Sequence, residues 1–200
     1  MSDKIGADAP LIDHHCHGVV PKDLTSAEFE DALSEAFAPA PAGTSHWDKT
    51  VAISIRRWCA PMLDLEKFAA PEDYLARRRE LGAAEVNKRF LRAAGFEMLL
   101  VDSGNRPEEL CSVTELGKIA QAPSMEVVRM ESVAERVAAA GGISAAGYAD
   151  AFEAALRDSL HDNVAGLKTI IAYRSTLAID YTRPGPGEVA RAAGGWLAEV

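Results

Sequence analysis

The chain has 200 residues, 48% of them hydrophobic and 26% charged, a composition that supports a buried core and excludes disorder as the default. Its formal net charge of −9 excludes a nucleic-acid partner, which needs a basic surface to displace phosphate counterions. No stretch approaches the roughly 20 apolar residues of a membrane span, so neither a membrane partner nor a signal peptide is expected.

In chain order, residues 11–16 read as a short strand, with apolar residues after Pro10 and a stop at Gly18. Thr25-Ser26-Ala27-Glu28 is a capping box, and Phe29, Leu33 and Phe37 follow at four-residue spacing, which predicts an amphipathic helix. After the linker Pro39-Ala40-Pro41-Ala42-Gly43, Trp47, Val51, Ile55 and Trp58-Cys59 mark a second helical face that Pro61 ends. Pro71-Glu72-Asp73 suits a helix first turn, and Val86, Phe90 and Leu91 predict a further helix that stops at Gly95. The run Arg77-Arg78-Arg79 between them reads as a solvated helix face.

From residue 96 the texture changes. Residues 96–101 form a continuous apolar run of the kind buried on both faces of a parallel sheet. A strand at 125–130, helices at 133–140 and 145–160, a strand at 167–173 and a helix at 188–200 follow. Strands that alternate with helices imply right-handed crossovers and a parallel sheet. Cys16, Cys59 and Cys111 stand far apart without paired spacing, so neither disulfides nor a zinc knuckle is indicated, and a cytoplasmic location is expected.

The chemistry concentrates in Asp13-His14-His15-Cys16-His17-Gly18. Side chains alternate across a strand, so Asp13, His15 and His17 share one face and His14 and Cys16 the other. Two imidazoles two residues apart at a strand end can chelate one divalent cation, of which zinc is the commonest partner for such donors. His15 and His17 are therefore the candidate metal ligands. Asp13 reads either as a ligand-orienting acid or as a hydrogen-bonded strand residue.

The pattern apolar-Asp-x-His-x-His, here Ile12 to His17, resembles the end of the first strand in the amidohydrolase superfamily. A second likeness is Gly166-Leu167-Lys168-Thr169-Ile170-Ile171-Ala172-Tyr173-Arg174, which is similar to a stretch of the amidohydrolase-related group that also occurs fused to glutamine synthetase-like domains. Val128-Arg129-Met130-Glu131 is similar to an Arg-x-Glu strand end of the same group. The resemblance implies an α/β fold of the (β/α)8 TIM-barrel type. This chain would be a single domain supplying the first four βα units, with residues 19–95 as a helical insertion after strand one. Family members carry further ligands, one or two histidines and an aspartate, on strands five to eight. A C-terminal half would supply them; a catalytically silent half-barrel or truncated fragment is the alternative, and its two unpaired sheet edges would favour a homo-oligomer.

Other residues follow from that frame. At about 3.3 Å per residue, Lys168 would lie roughly 13 Å below Ala172 on a strand running to Tyr173, which suits a structural ion-pair partner or a contact to a substrate anion better than a metal-bridging ligand. Tyr173 and Arg174 would close strand four at the functional end of the barrel, where a guanidinium suits either a substrate carboxylate or a helix-cap or loop ion pair. Glu131 is the candidate acceptor that would orient a histidine ring, whereas Asp102-Ser103-Gly104-Asn105 reads as a turn. His46 fits either a lid or the start of a helix. No catalytic acid or base is assigned. The resemblance implies a metal-dependent hydrolase that acts on a C–N or C–O bond of a small carboxylate-bearing substrate through metal-activated water; non-oxidative decarboxylation is the alternative chemistry.

Overall fold

The computed structural model describes residues 9–35 and 39–200. The first strand, β1 (Leu11–Cys16), is followed by three helices: α1 (Ser26–Asp31), α2 (Thr50–Trp58) and α3 (Pro71–Ala94). The capping box forms: Thr25 N–H donates to Glu28 Oε2 at 2.8 Å, and Glu28 N–H to Thr25 Oγ1 at 3.2 Å. Helix α1 ends at Asp31, so Leu33 lies beyond it, and Phe37 of the predicted stripe lies outside the described residues. Trp47 belongs to a one-turn 3-10 helix (His46–Asp48) before α2. The two helices expected between Pro71 and Gly95 are one, broken at Gly82, whose φ of 76° and ψ of 153° are non-helical.

These helices carry their own core. Phe29 and Trp47 stack at 5.4 Å, Tyr74 lies against both, and Leu63, Leu75 and Val86 complete the packing. The Arg78 guanidinium stands 4.9 Å over the Phe29 ring, so one member of the basic run is a cation–π partner rather than a solvated charge.

The remaining strands are β2 (Phe96–Asp102), β3 (Ser124–Arg129) and β4 (Val164–Lys168). All pairings are parallel, in the order β1-β2-β3-β4. Helix α4 (Val113–Ala120) crosses between β2 and β3 and packs Leu116 and Ala120 against Leu99 and Val101. Helices α5 (Met130–Ala139), α6 (Tyr148–Asp158) and α8 (Pro186–Leu197) form a third core around Val137, Tyr148 and Ala193. Among the described residues no helix is long and apolar enough to cross a membrane.

Three expectations need correction. The (β/α)8 barrel is not what the chain forms. The described residues build one open sheet of four parallel strands, with β1 and β4 at its two edges. An eight-stranded closure demands tilt and stagger shared around the full ring, and four strands do not supply it. Strand four ends at Lys168 instead of Tyr173, and residues from Ile171 to Arg174 turn into the short helix α7. Helix α4 was unforeseen, although Ser112 and Glu115 form a capping box at its start.

Candidate metal centre

The carboxyl ends of the parallel strands bring the chemistry together. The four residues Asp13 to Cys16 of β1 lie against only three of β2, Leu99 to Val101. This bulge bends the end of β1 and re-aims its side chains. His15 N–H donates to Asp13 Oδ1 at 3.2 Å, so Asp13 braces the bulged backbone. Cys16 points away and its thiol contacts the Leu100 carbonyl at 3.6 Å. Burial first, then the Asp13 and Cys111 charges, pushes that thiol up to about 11, which makes it inert as a nucleophile at neutral pH.

His15, His17 and Asp102 offer one donor atom each, and these atoms lie within 4.8 Å of one another. His17 Nδ1 lies 3.1 Å from the Asp102 carbonyl oxygen. A carbonyl only accepts, so Nδ1 carries the proton and Nε2 keeps the lone pair that binds a metal. Desolvation, then the positive charge of Lys168, lowers the His15 pKa and favours the neutral, ligating imidazole.

Asp102, read from the sequence as a turn residue, does both jobs. Its Oδ1 accepts the Gly104 N–H at 3.0 Å and closes the turn. Its Oδ2 accepts from Arg129 Nη2 at 2.6 Å and Lys168 Nζ at 2.9 Å, and lies 3.9 Å from His15 Nε2. Asp102 is 1% exposed. That burial alone would raise its pKa, but the hydrogen bonds from Arg129, Lys168 and Gly104 outweigh it and hold the carboxyl below its usual range.

Arg129 and Lys168 are register partners on β3 and β4, which is why both reach Asp102. Because β4 ends at Lys168, this lysine stands at the carboxyl edge with the histidines and not 13 Å beneath it. Its Nζ also contacts His15 Nε2. Arg129 was noted in the sequence only as part of a strand-end likeness. The signal that could have found it is its place at the end of the β-prone stretch Met125 to Val128, where a charge follows two valines.

The remaining sequence-derived residues lie apart from this cluster. Glu131, on the first turn of α5, accepts from Thr169 Oγ1 and from Ile170 N–H at 2.9 Å, so it clamps the turn after β4 and touches no histidine ring. Arg174 pairs with Glu135 at 2.6 Å, and Tyr173 is 91% exposed; neither makes a hydrogen bond or ion pair to the cluster. His46 is buried, with its N–H on Glu30 at 3.0 Å, and His161 Nε2 lies 3.0 Å from Glu126. A cleft of about 560 Å³ is lined by Ser103, Glu126, Arg129, Ser132, Arg136 and His161 among others and meets the cluster through Arg129 and the turn after Asp102. The convergent metal donors are at the strand ends and not in that cleft.

The donor set fits a divalent cation. Two imidazoles and a carboxylate are donors of the kind that hold a divalent cation with a position left open, and donor atoms within 4.8 Å of one another can close on a shared ion by side-chain adjustment. The Lys168 ammonium already stands against two of the three donor groups, so the space between them accommodates positive charge.

The whole is an α/β chain with a metal-type donor cluster at the carboxyl ends of a parallel sheet. No protein-family model matches it, and no curated protein matches it. The crystal structure of a proposed metal-dependent hydrolase from Lactobacillus casei ATCC 334 shares the fold, with a TM-score of 0.66 at 23% sequence identity. The match covers 95% of this chain and 49% of the other, so the chain spans about half the length of that protein.

Proposed function

We propose that this chain bears the metal-binding strands of a metal-dependent hydrolase of the amidohydrolase type, acting on a C–N or C–O bond of a small carboxylate-bearing substrate. The observation that carries the reading is the convergence of His15, His17 and Asp102, from two neighbouring parallel strands, on one point. The described fold shared with a proposed metal-dependent hydrolase supports it. A divalent metal, zinc by the donor chemistry, would supply an activated water for attack on a carbonyl carbon.

The chain's own residues would prepare that site. The Asp102 carbonyl fixes the tautomer of His17, while Arg129 and the Gly104 N–H fix the Asp102 carboxylate. Arg129 and Lys168 place two positive charges beside the cluster, an environment that suits an anionic substrate.

Metal analysis of the purified chain tests the proposal. The expected result is stoichiometric zinc that is lost in the double variant His15→Ala/His17→Ala. Equal metal content in variant and wild type would refute it. With an active protein, ammonia or alcohol among the products would support hydrolysis, and carbon dioxide would replace it with decarboxylation.

A further inference from the structure

Lys168 raises a question of occupancy. Its Nζ donates to Asp102 Oδ2 at 2.9 Å and contacts His15 Nε2. Both contacts use atoms that a metal would need. A lone pair on His15 Nε2 serves an ammonium or a metal ion, not both. The geometry leaves the lysine a way out: its side chain is 22% exposed, on a flexible four-carbon stem at the last residue of β4. The backbone that follows is fixed by Glu131, which accepts the Ile170 N–H at 2.9 Å. Asp102 would stay in place when the lysine leaves, because Arg129 Nη2 at 2.6 Å and the Gly104 N–H at 3.0 Å still hold both of its oxygens.

We infer that Lys168 is a tethered placeholder cation, which fills the space between His15 and Asp102 and swings toward solvent when a divalent metal enters. The inference rests on the proposed function and deepens it, since the displaced ammonium remains at the open end of the site, within reach of a substrate carboxylate. A lysine that bound the metal directly would behave in the opposite way, and the sign of the effect separates the two.

Removal of the placeholder should tighten metal binding. When a competing internal group occupies a site for about nine-tenths of the time, apparent affinity is lower by about tenfold. Lys168→Met is therefore expected to bind Zn2+ at least about tenfold more tightly than wild type by isothermal titration calorimetry. A second measurement uses the unaltered chain: acetylation of Lys168 by an amine-reactive reagent, followed by mass spectrometry, should speed up on saturation with Zn2+ as the side chain moves out.

Weaker or unchanged Zn2+ binding by a folded Lys168→Met chain, or protection of Lys168 from acetylation by Zn2+, overturns the placeholder. Should the variant misfold, the acetylation result decides alone. The parent reading fails separately: if neither wild type nor variant binds Zn2+, the metal-dependent function is refuted, whereas wild-type binding that the variant weakens refutes only the placeholder.

Discussion

Replacement of Asp102 by asparagine probes the buried charge at the centre of the site while keeping its shape. The amide oxygen can still accept the Gly104 N–H, but the amide nitrogen would face Arg129 Nη2 and Lys168 Nζ, donor against donor, in place of contacts at 2.6 and 2.9 Å. Removing one partner of a buried ion pair costs about 3–5 kcal/mol because the other charge is stranded. The side chains of Arg129 and Lys168 keep 12% and 22% exposure, so water recovers part of the loss and the lower end, about 3 kcal/mol, applies. For a chain of this size that corresponds to a drop in Tm of about 6–12 °C. Circular dichroism melts in the presence of a chelator measure it free of metal. The pH dependence has a definite sign. The folded pKa of Asp102 lies below its unfolded value of about 3.9, so its stabilisation is complete above that value and disappears as pH falls through the folded pKa. The gap between wild type and Asp102→Asn should hold from about pH 7 to 5 and close below about pH 4. Adding Arg129→Met should restore part of the loss, since one stranded cation is gone. A variant that melts within about 2 °C of wild type, or a double variant whose losses simply add, would refute the reasoning.

Three further outcomes are expected. Ser112→Ala removes the hydroxyl that accepts the Glu115 N–H at 3.3 Å at the start of α4, and should cost about 1 kcal/mol by chemical denaturation. A Cβ at Gly18 would stand 2.3 Å from the Cys111 carbonyl oxygen, so Gly18→Ala should destabilise by about 1–3 kcal/mol. By shifting the backbone next to His17 it should also weaken Zn2+ binding in a titration, and a variant with wild-type stability would count against the close approach. The thiols of Cys16, Cys59 and Cys111 all have pKa values raised by burial, so iodoacetamide at pH 8 should alkylate them more slowly in the folded chain than in denaturant. Folded-state labelling at the denatured rate would contradict that.

How far the sequence discloses the site depends on the range of the forces involved. His15 and His17 are legible because a strand has a period of two, and that local rule survives even the bulge in β1. Asp102 is harder: its turn with Gly104 is local and readable, but its reach to Arg129 and Lys168 is set by the pairing of strands far apart in sequence. The sequence alone sets Lys168 too deep, because the apolar run Ile170-Ile171-Ala172-Tyr173 after it looks like more strand. Glu131, 39 residues earlier, binds the Ile170 N–H and turns the chain instead. Such tertiary capture overrides β propensity and leaves no mark in the local pattern. Helix α4 had a visible capping box, and only its eight-residue length concealed it. Closure of the sheet is of another kind: alternation of strands and helices fixes that strands are parallel, not that their edges meet.

The charges around Asp102 bear on the proposed substrate class. Asp102 contributes one negative charge and Arg129 and Lys168 one positive charge each, which leaves the group with a surplus of positive charge even before any metal is considered, in a chain whose formal net charge is −9. A divalent cation entering beside Arg129 would enlarge that surplus in a partly buried place, where charge is costly to leave uncompensated. Two responses lower the cost. Lys168, at the strand end and partly exposed, can move outward, whereas Arg129, with only 12% of its side chain exposed and its short contact to Asp102, is held. An anionic ligand can then settle between the metal and the displaced ammonium. On the proposed reading, metal affinity, the mobility of Lys168 and the preference for a carboxylate substrate are therefore one electrostatic problem, and a change that fixes the lysine in place should weaken metal and substrate binding together.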